Sequence, residues 1–97
     1  MRHFHRTHIP ADAVLEIADA FFPTLPLTLT ESTPRSRTYS GALGTVTLRV
    51  MMEGGHYTRI EAATDQVGES RLDRNVKRFF VKVHRAADPS HALRAAY

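Results

Sequence analysis

Histidines concentrate in the first eight residues of the chain and are the first candidates for chemistry. If this segment is extended, His3 and His5 lie on one side of it and could coordinate a divalent metal, with His8 or a carboxylate as a third ligand. The cluster lies at a chain terminus, where fraying is common, and follows no established ligand spacing. Solvated polar side chains are therefore the simpler interpretation, and we predict no metal site.

Ser90 and His91, with Asp88 nearby, are the residue types of a nucleophile, a base and an orienting acid. Adjacent side chains rarely orient for nucleophile-to-base hydrogen bonding, and no nucleophile elbow or oxyanion-hole motif accompanies them. The glycines at 41–44 and 54–55 do not open a helix after a strand, so they indicate turns rather than a phosphate-binding loop. We therefore predict no catalytic residue and no cofactor, and a noncatalytic protein is favoured over an enzyme.

Basic residues concentrate between Glu69 and Asp88. That segment carries six basic residues against three acidic ones, while the rest of the chain is balanced, so the whole formal excess of +3 lies there. On a helix, five of them form a cationic ridge beside the apolar side: Arg74, Lys77, Arg78, Lys82 and Arg85. Such a ridge could contact nucleic-acid phosphate or an acidic protein surface, and a solvated helix exterior is the simpler interpretation.

Length and composition describe an ordinary globular chain. Its 97 residues suffice for one domain, and its contents of 42% hydrophobic and 24% charged residues are typical of folded proteins. The absence of cysteine excludes disulfides, thiolate catalysis and thiolate metal sites. No apolar run approaches the roughly 20 residues that span a bilayer, and no signal-peptide core is present, so we expect a cytoplasmic protein without a membrane span.

The residues from Ser70 to Ala87 give the strongest helix pattern. Ser70 and Asp73 match a capping box, and Asp88 followed by Pro89 provides a stop signal. Apolar residues recur at helical spacing and form one stripe: Leu72, Val76, Phe79, Phe80, Val83 and Ala87. This stripe needs a surface to cover, which the preceding strands would supply.

Strands and a shorter helix are predicted before it. Pro10 at the first helical position and apolar spacing predict a helix over 11–22, and alternation predicts an edge strand at 1–9 and strands at 27–32, 37–42, 45–52 and 56–64. A three-residue loop beginning at Glu53 would pair Val50 with Thr58. On the opposite face, Glu61 is expected in a polar network with neighbouring arginines.

This order predicts an α+β fold: an antiparallel meander of about five strands with a short N-terminal and a long C-terminal helix on one face. It covers one domain, 1–97, whose residues 89–97 could fray. An N-terminal strand passing through Ile9–Val14 into a short helix, then a meander and a long helix, resembles the START-like (SRPBCC, helix-grip) superfamily. The resemblance implies an apolar ligand held between sheet and helix.

These patterns favour a noncatalytic module that binds an apolar small ligand or acts as a subunit of a homo-oligomer or larger assembly. Met51 and Tyr57 on the second sheet face motivate the assembly role. One alternative is nucleic-acid association through the cationic ridge, and another is a small START-like enzyme or lipid carrier. The ligand would lie against apolar side chains of the helix and sheet: Leu48, Val50, Ile60, Val76, Phe79, Phe80 and Val83.

Overall fold

Residues 1–88, which the computed structural model describes, form a five-stranded antiparallel sheet with two helices packed on one face. In chain order the elements are β1 (Arg2–Thr7), α1 (Ala11–Phe21), a 3-10 turn (Phe22–Thr24), β2 (Leu27–Thr33), β3 (Ser36–Gly41), β4 (Gly44–Glu53), β5 (Tyr57–Thr64) and α2 (Arg71–Ala87). The strand order β1-β5-β4-β3-β2 makes β1 an edge strand beside the meander. The predicted α+β fold is confirmed; the predicted frayed tail and the Ser90–His91 pair lie outside the described residues.

The core lies between α2 and the inner face of the sheet. Alternate residues of β4 and β5 point towards it because side chains alternate along a strand, and every fourth or third residue of α2 meets them. The side chains in this layer are all 3% exposed or less: Val46, Leu48, Val50, Ile60, Ala62, Leu72, Val76, Phe79 and Val83. The apolar stripe of α2 therefore covers the sheet as its spacing predicts.

Aromatic rings extend this core towards α1 and β3. The ring of Phe22 lies 4.9 Å from that of Tyr39 and 5.1 Å from that of Phe79, measured between centroids, and all three are fully buried. Phe21 adds an edge contact to Phe22 at 5.1 Å. Because Phe22 follows α1 directly, its insertion between β3 and α2 fixes where α1 ends relative to the sheet.

The hairpin between β4 and β5 keeps the predicted faces but not the predicted register. Val50 pairs with Ile60, two residues further along β5 than predicted, and the three-residue loop begins at Gly54 rather than at Glu53. Gly54 and Gly55 have φ values of +64° and +74°, a conformation that glycine adopts without strain. Because side chains alternate with a period of two, this shift leaves every residue on its predicted face.

The two helices differ in how their N-termini are capped. Pro10 precedes α1 as its N-cap residue rather than occupying the first helical position, and it makes no side-chain cap. Ser70 caps α2 by accepting a hydrogen bond of 3.0 Å from the backbone N–H of Asp73. Within residues 1–88, no helix combines the length and the apolar character needed to cross a bilayer.

Candidate functional site

A buried carboxylate joins β1, the end of β5 and the start of α2. Asp73 is 1% exposed, and its Oδ1 accepts hydrogen bonds from His3 Nε2 at 2.7 Å and from Thr64 Oγ1 at 2.8 Å. Ser70 Oγ donates to Oδ2 at 2.5 Å. Burial alone would raise the pKa of Asp73, but the hydrogen bonds from Ser70, His3 and Thr64 together hold it below its ordinary value.

This network contains a serine, a histidine and an aspartate, but it is not arranged as a catalytic triad. In a triad the imidazole lies between the nucleophile and the acid, so that it can take the nucleophile's proton. Here Ser70 and His3 both bond to Asp73, so the structure pairs Ser70 with a carboxylate rather than with the imidazole. The arrangement fastens β1, the end of β5 and the start of α2 together.

His5 lies two residues further along β1 and also faces α2. Its ring stacks on Phe80 with centroids 5.2 Å apart, and its Nε2 is buried without a hydrogen-bond partner among the described residues. Burial and, to a lesser degree, the charge of His84 lower the pKa of His5. The prediction that the N-terminal histidines are solvated is wrong for His3 and His5, because α2 covers the inner side of β1.

The described histidines and acids do not converge on a metal position. Within residues 1–88, no group of three or more such side chains could hold an ion. His3 already bonds to Asp73, and the ring of His8 lies against Tyr57 with centroids 5.2 Å apart. These side chains are therefore engaged in packing and hydrogen bonding.

The largest of the described cavities is a groove of about 530 Å³ between α1 and α2 on the outer side of the helices. From here on we call it the α1–α2 groove. On one side, α2 contributes three cations: Arg78, Lys82 and Arg85. On the other side, α1 and the turn after it contribute Ile17, Ala20, Phe21 and Thr24. Residues spaced by three and four along a helix share one side, so both helices present a continuous strip to the groove.

Cations lie over an aromatic side chain in the groove. The guanidinium carbon of Arg78 is 5.8 Å from the centroid of the Phe21 ring, and Nζ of Lys82 is 5.7 Å from it. Phe21 itself is only 5% exposed, so it also belongs to the core. The groove therefore combines apolar surface with positive charge, and no acidic residue lines it.

The predicted cationic ridge divides into parts with different surroundings. Lys77 donates to Glu69 at 2.7 Å and lies on the other side of α2, beside Phe80. Arg74 does not line the α1–α2 groove. The three remaining members, Arg78, Lys82 and Arg85, are brought together there. A contact with nucleic-acid phosphate stays a prediction for all five residues.

Six of the seven side chains predicted to line a ligand site are packed in the core. Each is 3% exposed or less: Leu48, Val50, Ile60, Val76, Phe79 and Val83. Phe80 is half-buried and lines a depression of about 400 Å³ with His5, Lys77, Val81 and His84, which is more open than the α1–α2 groove. A ligand role for these seven residues stays a prediction.

The outer face of the sheet carries ion pairs as well as exposed aromatic rings. Glu53 accepts from Arg6 at 2.5 Å and from Arg59 at 3.4 Å. Glu61, expected in a polar network with arginines, forms an ion pair with Arg2 at 4.0 Å. Hydrogen bonding to Arg6 is the main reason that the pKa of Glu53 lies below its usual value. Arg59 covers the ring of Phe4 at 4.6 Å. Assembly through this face stays a prediction.

Sequence reasoning missed the contribution of α1 to the groove. The apolar spacing over 11–22 predicts a helix, and it leaves unassigned the four residues that α1 and the turn after it contribute to the groove: Ile17, Ala20, Phe21 and Thr24. The spacing of these four residues, at steps of three, one and three, was a usable signal. What the sequence does not contain is the angle at which α1 meets α2, and this angle creates the groove.

Comparison with known proteins adds no assignment. Neither the protein-family models nor the curated proteins compared with this sequence give a match. The resemblance to the START-like superfamily therefore stays a prediction.

Proposed function

We propose that this protein is a noncatalytic binding module whose α1–α2 groove holds a small ligand with an apolar body. The observation that carries the proposal is the groove itself, whose volume of about 530 Å³ falls within the range of about 300–1,000 Å³ that is usual for small-molecule sites. Ile17, Ala20 and Phe21 supply its apolar surface.

The neighbouring structure supports this location. Phe21 is held by Phe22 and Phe79, which are fully buried, so one wall of the groove is part of the rigid core. A preformed wall lowers the ordering cost of binding. The described groove lining contains no histidine or carboxylate that could act as a general base, and this favours binding over chemistry.

Replacing Ala20 by tryptophan tests the location. Ala20 is exposed and lines the groove, so an indole at this position would occupy the space of the ligand. We expect N-phenyl-1-naphthylamine, a neutral apolar probe that fluoresces in apolar surroundings, to bind the unmodified chain and to bind Ala20→Trp at least about tenfold more weakly.

Ala63→Trp is the matched control, because Ala63 is exposed on β5, away from the groove. This variant should bind the probe as the unmodified chain does. Thermal unfolding of both variants checks that each is folded. Equal probe binding by folded Ala20→Trp and Ala63→Trp would place the ligand elsewhere, and no binding by the unmodified chain would refute the proposal.

A further inference from the structure

We infer that the ligand of the α1–α2 groove carries an anionic head, a carboxylate or a phosphate, on its apolar body; this rests on the proposed function. The inference begins with the composition of the lining. Three of its seven residues are cations, Arg78, Lys82 and Arg85, and none is acidic. A small apolar site with only positive charge at its margin favours a ligand of opposite charge.

Carboxylates of the described chain do not neutralise these cations. Within residues 1–88, the described ion pairs connect other groups, such as Arg37 with Asp19 at 3.1 Å and Lys77 with Glu69 at 2.7 Å. On α1, Asp19 forms such a pair, and its partner Arg37 lies on β3 rather than on α2. The positive charge of the groove is thus available to a bound anion.

The cations and the apolar surface are close enough for one small molecule to contact both. Arg78 and Lys82 each lie within 6 Å of the Phe21 ring, which belongs to the apolar wall. Arg85 follows Lys82 by three positions and therefore lies beside it on the helix. An acyl or aryl chain against Ile17 and Phe21 would bring its head group to this row of cations.

Nucleic acid fits the same side of α2 less well. A phosphate backbone is recognised by cations distributed over an open surface, whereas here the cations border a concave site with apolar residues from a second helix. The ridge is also divided, since Lys77 lies on the other side of α2. A small amphiphilic anion uses both the charge and the apolar wall.

An eight-carbon series tests the inference by calorimetry: octanoate, octyl phosphate, octanol and octyltrimethylammonium. All four share the apolar body, so differences in affinity report the head group. At low salt we expect both anions to bind about tenfold more tightly than octanol, and octyltrimethylammonium to bind most weakly. Raising the ionic strength from about 20 mM to about 300 mM should reduce the advantage of the anions.

Two double variants with the same loss of charge locate the effect. Lys82→Gln/Arg85→Gln should bind octanoate no more tightly than octanol, because it removes two groove cations. Arg71→Gln/Arg74→Gln, on the same helix but outside the lining, should keep most of the preference. Arg78 is left unchanged because its guanidinium lies over the Phe21 ring, which forms the apolar wall of the groove.

The outcomes separate this inference from the proposed function. If octanol binds as tightly as the two anions, the inference is wrong while the groove remains a ligand site. If none of the four compounds binds, the proposed function fails as well. Displacement of octanoate by a single-stranded oligothymidylate at much lower concentration, abolished in both double variants, would overturn the inference in favour of a phosphate-binding helix surface.

Discussion

Replacing Phe79 by alanine is expected to lower the free energy of unfolding by about 3–5 kcal/mol, the largest effect we expect from a single side chain. Phe79 is fully buried, and its ring contacts those of Phe21, Phe22 and Phe80 at centroid distances of 5.1–6.3 Å. Removing it would leave a cavity between α2 and the sheet that these rings cannot fill without losing their own contacts. Equilibrium unfolding in urea measures the change.

Phe80→Ala is a matched control because it removes the same group from the next residue. Phe80 is only half-buried and stacks on His5 at the margin of the sheet, so its loss should cost about 1–2 kcal/mol. If the two variants lose equal stability, the assignment of Phe79 to the interior and Phe80 to the margin is wrong.

Asp73→Ala is expected to lower the free energy of unfolding by about 3 kcal/mol. The substitution removes one acceptor group and leaves three donors, on His3, Thr64 and Ser70, without their partner in a buried region. Those donors come from three different elements, so the loss weakens the contact of β1 with α2 as well as the start of the helix. Urea unfolding again supplies the measurement.

Asp12→Ala is the control for Asp73→Ala. Asp12 also lies in the first turn of a helix but is exposed, so its removal should cost less than about 1 kcal/mol, the usual size of a helix-dipole interaction. A similar loss of stability in the two variants would mean that the buried network contributes little.

Asp73 should also make stability depend on acidity. The folded chain lowers the pKa of this carboxyl below its ordinary value of 3.8, so its contribution is fully present above that pH and is lost as the pH falls through the folded pKa. Asp73→Asn cannot titrate and should therefore show a flatter decline in stability below about pH 4 than the unmodified chain. Equal slopes would contradict this role.

Local patterns in the sequence were sufficient for the fold class. The spacing of Leu72, Val76, Phe79 and Val83 predicts which side of α2 is buried, and alternation along β4 and β5 predicts which side of the sheet faces it. These patterns repeat with the geometry of the backbone, so they need no knowledge of distant contacts. The predicted register of the β4–β5 hairpin was wrong because registers that differ by two residues bury the same side chains.

Long-range pairing accounts for what the sequence did not predict. His3 and Asp73 are separated by 70 positions, and only the pairing of β1 with β5 brings the histidine to the start of α2. The groove likewise depends on how α1 meets α2. The cations on α2 and the spacing of the residues from Ile17 to Thr24 are visible in the sequence, but the angle that brings these two strips together is not.

A nitrogen–proton correlation NMR titration with octanoate tests most directly whether the α1–α2 groove is the binding site. We expect the backbone amide signals that shift to be those of residues 17–22, 24 and 78–85, with little change at Phe4 and Tyr57 on the outer sheet face. Shifts confined to the outer face, or no shifts on addition of millimolar octanoate, would contradict a ligand site between the two helices.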